Sequence, residues 1–60
     1  MSRLKVGDAA LIYREGRLIE CEVIGHHYDY VEEPKGFRAY YLIDGNGQKH
    51  IAAPEEIEAR

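Results

Sequence analysis

Polar and apolar residues alternate most clearly in the segment from Arg17 to Gly25. Ile19, Cys21 and Val23 fall on one side of an extended chain there. The other side carries two glutamates, in the set Leu18, Glu20, Glu22 and Ile24. An alternation with period two is typical of a half-buried β-strand. The pattern therefore predicts a strand with Ile19, Cys21 and Val23 in the core.

A helix over Leu18–Ile24 is the competing interpretation of this segment. Gly16 and Gly25 bracket it, and the run between them is too short for a stable helix. An earlier apolar run, Ala9–Arg14, predicts a first strand. Glu15-Gly16 is then the turn that joins the two strands.

A hairpin is predicted from Phe37 to Ala52. Phe37–Ile43 is rich in aromatic and β-branched residues, which suit a pleated surface. Asp44-Gly45-Asn46-Gly47 follows, and these residue types tolerate the positive φ angles of tight turns. Gln48–Ala52 is the returning strand.

The remaining segments are a connection and a C-terminal end. His26–Gly36 is predicted as a long connection, although His27–Val31 could extend the second strand past a barrel rim. Ala53–Ile57 is predicted as one helical turn, since proline suits a first helical position and acids suit the positive end of a helix. Glu58–Arg60 is a candidate last edge strand.

These elements predict a single all-β domain, residues 1–60, built from four to five short antiparallel strands. A small closed barrel removes exposed strand edges in so few residues. The chain carries no pair of cysteines for a disulfide and no paired Cys/His spacing for a structural zinc. Stability must then come from closure of the sheet or from self-association, and a homo-oligomer is a further expectation.

Several motifs resemble the Tudor family of SH3-like barrels, over about Val6 to Ile57. They are, in chain order, Val6-Gly7-Asp8, Tyr13-Arg14-Glu15-Gly16, Glu22-Val23-Ile24, Tyr40–Asp44 with Gly45-Asn46-Gly47, and Pro54-Glu55-Glu56-Ile57. The resemblance implies an SH3-like (Tudor-like) barrel. Family members that bind methylated residues hold the cation in an aromatic cage. By position Tyr13 and Tyr40 or Tyr41 match cage walls, but Leu18 and Gly45 stand where two further aromatic residues are expected.

The aromatic residues suggest a surface for another protein. The chain has one phenylalanine and five tyrosines, namely Phe37, Tyr13, Tyr28, Tyr30, Tyr40 and Tyr41. Tyr40 and Tyr41 must point to opposite faces of a strand, so one of them is expected to face outward. Exposed tyrosines beside a long loop are typical of protein-binding patches. The alternative is that the tyrosines fill the core.

Charge bears on the class of partner. The formal net charge is −3, with eleven acidic and eight basic residues, which disfavours non-specific nucleic-acid binding. A local basic patch remains the alternative, with phosphate contacts from Arg14, Arg17, Arg38 and Lys49. No apolar run reaches the roughly 18 residues that span a bilayer. Met1–Lys5 is too short and polar for a targeting core. The absence of a cysteine framework suits a reducing cytoplasm, so a cytoplasmic protein without a membrane partner is expected.

Catalytic and metal chemistry find little support in the chain. His26, His27 and Asp29 form the one metal-like cluster, but adjacent histidines on an extended chain diverge, and solvated loop histidines are the favoured interpretation. Cys21 is expected to be a small buried apolar group rather than a nucleophile. No catalytic triad order or phosphate-binding glycine loop occurs. We therefore expect no enzyme activity, no cofactor and no metal.

One enzyme family is also similar to this chain. The plasmid-encoded type of dihydrofolate reductase is a small oligomeric barrel. Three stretches are loosely similar to it: Gly7-Asp8, Val23-Ile24-Gly25 and Ala52–Glu58. Its pore depends on a Gln-Ile-Tyr run, and here the corresponding stretch is Lys49-His50-Ile51-Ala52.

The sequence therefore favours a non-catalytic adaptor or inhibitor that binds a protein or peptide through a tyrosine-rich face and the long loop. Nucleic-acid binding is the first alternative and a small reductase the second.

Overall fold

Five antiparallel strands form one sheet in the computed structural model of the protein, which describes residues 3–29 and 36–58. The elements are β1 (Ala9–Arg14), β2 (Arg17–Asp29), β3 (Gly36–Asp44), β4 (Lys49–Ala52), a 3-10 turn (Pro54–Glu56) and β5 (Ile57–Glu58). Their spatial order is β4-β3-β2-β1-β5. The all-β fold class predicted from the sequence is confirmed, with the short helical turn before the last strand.

A tight turn joins β1 to β2. Arg14 pairs with Arg17, so the turn contains only Glu15 and Gly16. Both turn residues have positive φ, 54° and 76°, as in the type I′ turn whose twist matches that of the flanking strands. Glycine adopts this conformation freely, whereas Glu15 adopts it at a cost.

Strand β2 is long enough to serve both halves of the sheet. Its residues from Arg17 to Glu22 pair with β1, and its residues from Cys21 to Asp29 pair with β3. Its register shifts between Val23 and Gly25 and again between His27 and Tyr28. Such bulges bend a strand and increase its twist, and here they allow the sheet to curl.

The predicted connection His26–Gly36 is wrong at both ends. β2 continues to Asp29, as the alternative extension allowed, and β3 already begins at Gly36. The rest of the predicted loop, with Tyr30, lies outside the described residues.

Asp44 organises the turn between β3 and β4. Its backbone N–H donates to the Gln48 carbonyl at 2.9 Å, and its own carbonyl accepts from Gly47 at 3.0 Å. Its side-chain Oδ1 accepts from the backbone N–H groups of Asn46 and Gln48 at 2.8 and 3.0 Å. Gly47 has φ +83°, which glycine tolerates. The predicted hairpin is confirmed.

The core lies inside the curl of the sheet. Ile12, Val23 and Leu42, one each from β1, β2 and β3, are fully buried. The other buried side chains are Ala10, Cys21, Ala39, Tyr40 and Ala52. Cys21 and Val23 therefore occupy the predicted core face, and Ile19 is half-buried and packs against it.

Arg14 bridges the opening between β1 and β4, which are not neighbours in the sheet. Its guanidinium donates to the Ile51 carbonyl at 2.6 Å and to the Tyr13 carbonyl at 3.1 Å. A carboxylate oxygen of Glu56 lies 4.0 Å away and accepts from the Ala53 backbone N–H.

Within the described residues, 3–29 and 36–58, no helix is long and apolar enough to cross a bilayer.

Candidate functional site: an outer patch and a barrel mouth

The tyrosines do not share one surface. Tyr13 on β1 pairs with Leu18, and both side chains are exposed. Tyr41 on β3 pairs with Gly25 of β2. Leu18 and Gly25 are seven residues apart along β2, which corresponds to about 23 Å of strand. Tyr30 belongs to the part of the chain that the structure leaves undescribed.

Tyr40 belongs to the core. Its side chain is only 5% exposed, and its hydroxyl accepts from the Leu4 backbone N–H at 3.1 Å. Its ring meets Phe37 edge-on at 4.9 Å between centroids and His26 at 5.5 Å. Tyr40 therefore offers no surface to a partner, unlike the adjacent Tyr41.

The prediction of solvated loop histidines is wrong for His26. The residue lies within β2 and is half-buried against Phe37 and Tyr28, with ring centroids 5.6 and 6.3 Å away. Its Nε2 is 2.8 Å from the Leu4 carbonyl, so this nitrogen carries the hydrogen. His26 thus helps to hold the N-terminal segment across this end of the barrel.

Arg3 covers the same aromatic end. Its guanidinium carbon lies 4.3 Å from the centroid of Phe37 and 6.0 Å from that of Tyr28. One guanidinium nitrogen also approaches the Tyr28 hydroxyl at 3.4 Å. These are cation–π contacts within the chain. Tyr28 and Phe37, both predicted to bind a partner, here contact their own N-terminal segment.

An apolar surface is exposed on the outer face of three adjacent strands. We call Ile24, Tyr41 and Ile51 the outer patch; they are 39%, 39% and 50% exposed. Tyr41 and Ile51 are direct partners across β3 and β4. Hydrogen-bonded and non-hydrogen-bonded residue pairs alternate along an antiparallel ladder. Asp44 and Gln48 are a hydrogen-bonded pair of β3 and β4. Tyr41 and Ile51, three pairs further along, are therefore a non-hydrogen-bonded pair. Side chains of such pairs lie closest together.

Tyr41 is held in place by two contacts. Its hydroxyl is 2.9 Å from Nδ1 of His27, and the two rings meet edge-on at 5.8 Å. Its ring also covers Gly25, because a Cβ built on that glycine would lie 3.4 Å from the Tyr41 Cδ2. These two contacts restrain the ring although the side chain is exposed.

Opposite charges flank the outer patch. The neighbouring row of the sheet pairs Lys49 with Ile43, and Ile43 with Glu22. Both Lys49 and Glu22 are exposed. They stand two strand spacings apart, about 10 Å.

A polar groove of about 600 Å³ opens between the β1–β2 and β3–β4 turns. We call it the barrel mouth. It is lined by charged, amide and apolar groups of both turns and their strands: Arg14, Glu15, Arg17, Leu18, Ile19, Glu20, Asp44, Gly45, Asn46, Gln48 and His50. Among the residues that the structure describes, none that lines this groove is a tyrosine or phenylalanine, so they form no aromatic cage here.

Asp44 and His50 form a pair in the barrel mouth. Asp44 Oδ2 lies 2.9 Å from His50 Nε2, and the side chains are only 10% and 13% exposed. The carboxylate accepts, so Nε2 carries the hydrogen. This bond, followed by the one from the Gln48 backbone N–H, lowers the pKa of Asp44. The sequence interpretation missed this pair, although the hairpin register places both side chains on the inner face.

The four predicted phosphate contacts do not form one patch. Arg14 and Arg17 lie at the barrel mouth, whereas Lys49 is exposed on β4 beside the outer patch. Arg38 lies near the start of β3, six residues from Asp44, which is about 20 Å along the strand.

Cys21 has the environment of a core residue. Burial raises the pKa of its thiol, and the nearby Asp44 carboxylate raises it further.

Among residues 3–29 and 36–58, no group of three or more His, Cys, Asp or Glu side chains is placed to hold a metal ion.

Comparison with known proteins gives no match: no family model, curated protein or solved structure is significantly similar to this chain.

Proposed function

We propose that this protein is a non-catalytic binding module that recognises another protein through the outer patch. The observation that carries the proposal is the group of exposed apolar side chains on three adjacent strands, centred on Tyr41. Tyrosine is enriched among the residues that dominate binding energy at protein interfaces.

The fixed position of Tyr41 favours this role. An exposed side chain loses rotamer freedom when a partner immobilises it, at about 0.5–1.5 kcal/mol. His27 and Gly25 already hold the Tyr41 ring in one orientation. Part of that cost is therefore met in the free protein, which makes Tyr41 a suitable anchor.

The charges beside the outer patch indicate which charges the partner surface should carry. An apolar surface would cover Ile24, Tyr41 and Ile51, with an acidic residue facing Lys49 and a basic residue facing Glu22. Such pairs contribute mainly to orientation and association rate. A reducing cytoplasm suits the module, because Cys21 is a buried thiol and the chain contains no second cysteine.

The test compares two tyrosine variants as bait. Wild type, Tyr41→Ser and Tyr13→Ser are immobilised, and proteins captured from the source cells are quantified by mass spectrometry. Tyr13 is the matched control, because it is an exposed tyrosine remote from the outer patch. We expect a protein that wild type and Tyr13→Ser retain and Tyr41→Ser loses.

The purified pair then tests the interface directly. Tyr41→Ser should raise the Kd about thirtyfold, as for an interface anchor, while Tyr13→Ser leaves it unchanged. Lys49→Glu should slow association. Equal losses for both tyrosine variants would contradict the proposal. So would a wild-type homodimer that Tyr41→Ser dissociates, since the outer patch would then serve a second copy.

A further inference from the structure

Two arginines on adjacent strands line the barrel mouth. Arg14 and Arg17 are direct cross-strand partners at the end of the first hairpin. Strand alternation places them on the same side as Ile12 and Ile19, so both point toward the inner side of the sheet. Like charges in this position destabilise a sheet unless an opposite charge compensates them.

Within the described part of the chain, one of the two arginines is compensated and the other is not. Arg14 has the Glu56 carboxylate at 4.0 Å and two carbonyl acceptors. The Arg17 guanidinium makes no hydrogen bond and no ion pair with any residue in the described ranges 3–29 and 36–58. Its donors are therefore available to a ligand.

The acids that line the groove form no ion pair with Arg17 among the described residues. Both carboxylate oxygens of Asp44 already accept hydrogen bonds, from His50 and from the turn backbone. Glu20 takes part in another interaction, and Glu15 is exposed in the turn. Neither forms an ion pair with Arg17 in the described part of the chain.

We propose that the barrel mouth binds a small organic anion, through a carboxylate or phosphate group held by Arg17 and Arg14. Guanidinium groups match both anions with paired, charge-assisted hydrogen bonds. The volume of about 600 Å³ is that of a small-molecule site, and the mouth of a barrel is a common place for one. Ile19, on the same side of the sheet as Arg17, supplies an apolar contact for the organic part.

The experiment is a titration of ¹⁵N-labelled protein followed by NMR, with phenyl phosphate, benzoate and inorganic phosphate as probes. Wild type is compared with Arg17→Gln, Arg17→Lys and Lys49→Gln. Lys49→Gln is the matched control, because it also removes one positive charge but lies outside the groove lining. Arg14 is left intact because it bridges β1 and β4.

We expect saturable shifts of the Leu18 and Gly45 amides with an aromatic probe. Arg17→Gln should weaken binding about tenfold or more, Arg17→Lys should weaken it less, and Lys49→Gln should match wild type. Tighter binding of phenyl phosphate assigns a phosphate ligand, and tighter binding of benzoate assigns a carboxylate. Absence of saturation, or equal losses in Arg17→Gln and Lys49→Gln, would overturn the site. Inorganic phosphate binding as tightly as phenyl phosphate would overturn the organic class.

Discussion

Tyr41 and His27 meet diagonally across β2 and β3, with the tyrosine hydroxyl 2.9 Å from the imidazole Nδ1. They are not register partners, since His27 pairs with Ala39 and Tyr41 with Gly25. The Tyr41 ring lies over Gly25 and reaches His27. The orientation of the proposed anchor is therefore built into the sheet.

The first expectation concerns this hydrogen bond. Tyr41→Phe removes the hydroxyl and keeps the ring, so we expect the free energy of unfolding in urea to fall by less than about 1 kcal/mol. Affinity for a partner should fall less than in Tyr41→Ser. A Tyr41→Phe variant as weak as Tyr41→Ser would assign the binding energy to the hydroxyl instead of the ring.

The turn between β1 and β2 should be open to stabilisation. Glu15 has φ 54°, a conformation that asparagine tolerates better than glutamate. We expect Glu15→Asn to raise the free energy of unfolding by about 0.5–1 kcal/mol, measured in urea. Gly16→Ala is the opposite control, because φ 76° disfavours a side chain there, and it should lose stability. Loss of stability in Glu15→Asn would contradict the type I′ geometry.

Asp44 should make stability sensitive to acid. Its pKa in the folded protein is lowered from 3.8, chiefly by the hydrogen bond from His50. A carboxyl with a lowered folded pKa adds stability that is present above its unfolded pKa and disappears as the pH falls through the folded value. We therefore expect wild type to lose this contribution below about pH 4.

The Asp44→Asn variant tests that origin. It keeps a side-chain oxygen for the turn but cannot ionise, so its unfolding free energy should fall less steeply between about pH 5 and pH 2. Glu22→Gln removes one charge from the exposed outer face and serves as control. If the unfolding free energy of Asp44→Asn falls with acid as steeply as that of Glu22→Gln, the Asp44–His50 pair is not the source of the acid sensitivity.

The core should tolerate little truncation. Leu42 is fully buried, and Leu42→Ala in such a site costs about 2–5 kcal/mol. A domain of this size has roughly 3–5 kcal/mol in total, so the variant should be largely unfolded by circular dichroism. Val6→Ala, at an exposed residue, should unfold like wild type. A folded Leu42→Ala would show that an added interface supplies much of the stability.

Local signals were sufficient for most of the fold. Alternation placed Cys21 and Val23 in the core, and the Asp-Gly-Asn-Gly run placed the second turn, because both depend on residues close in sequence. The extension of β2 to Asp29 was harder to find. His26 looks polar, but its partner is the Leu4 carbonyl, far away in the chain.

The site depends on pairings that composition does not reveal. Alternation correctly separated Tyr40 from Tyr41, but only the strand pairings show that Tyr13 and Tyr41 lie on distant parts of the sheet. Bulges in β2 decide which rings meet, and a single sequence does not locate them. Predicting the barrel mouth would have required the strand register of both hairpins, because residues of both line it.

Arg14 has a consequence for the solubility of so small a sheet. β4 is the last strand on its side, and the ladder alternation directs the backbone groups of Lys49 and Ile51 away from β3. An uncovered strand edge is a template on which other chains add and fibres grow. Because the Arg14 guanidinium donates to the Ile51 carbonyl and Lys49 places a charge on the same strand, we expect that edge to resist edge-to-edge aggregation.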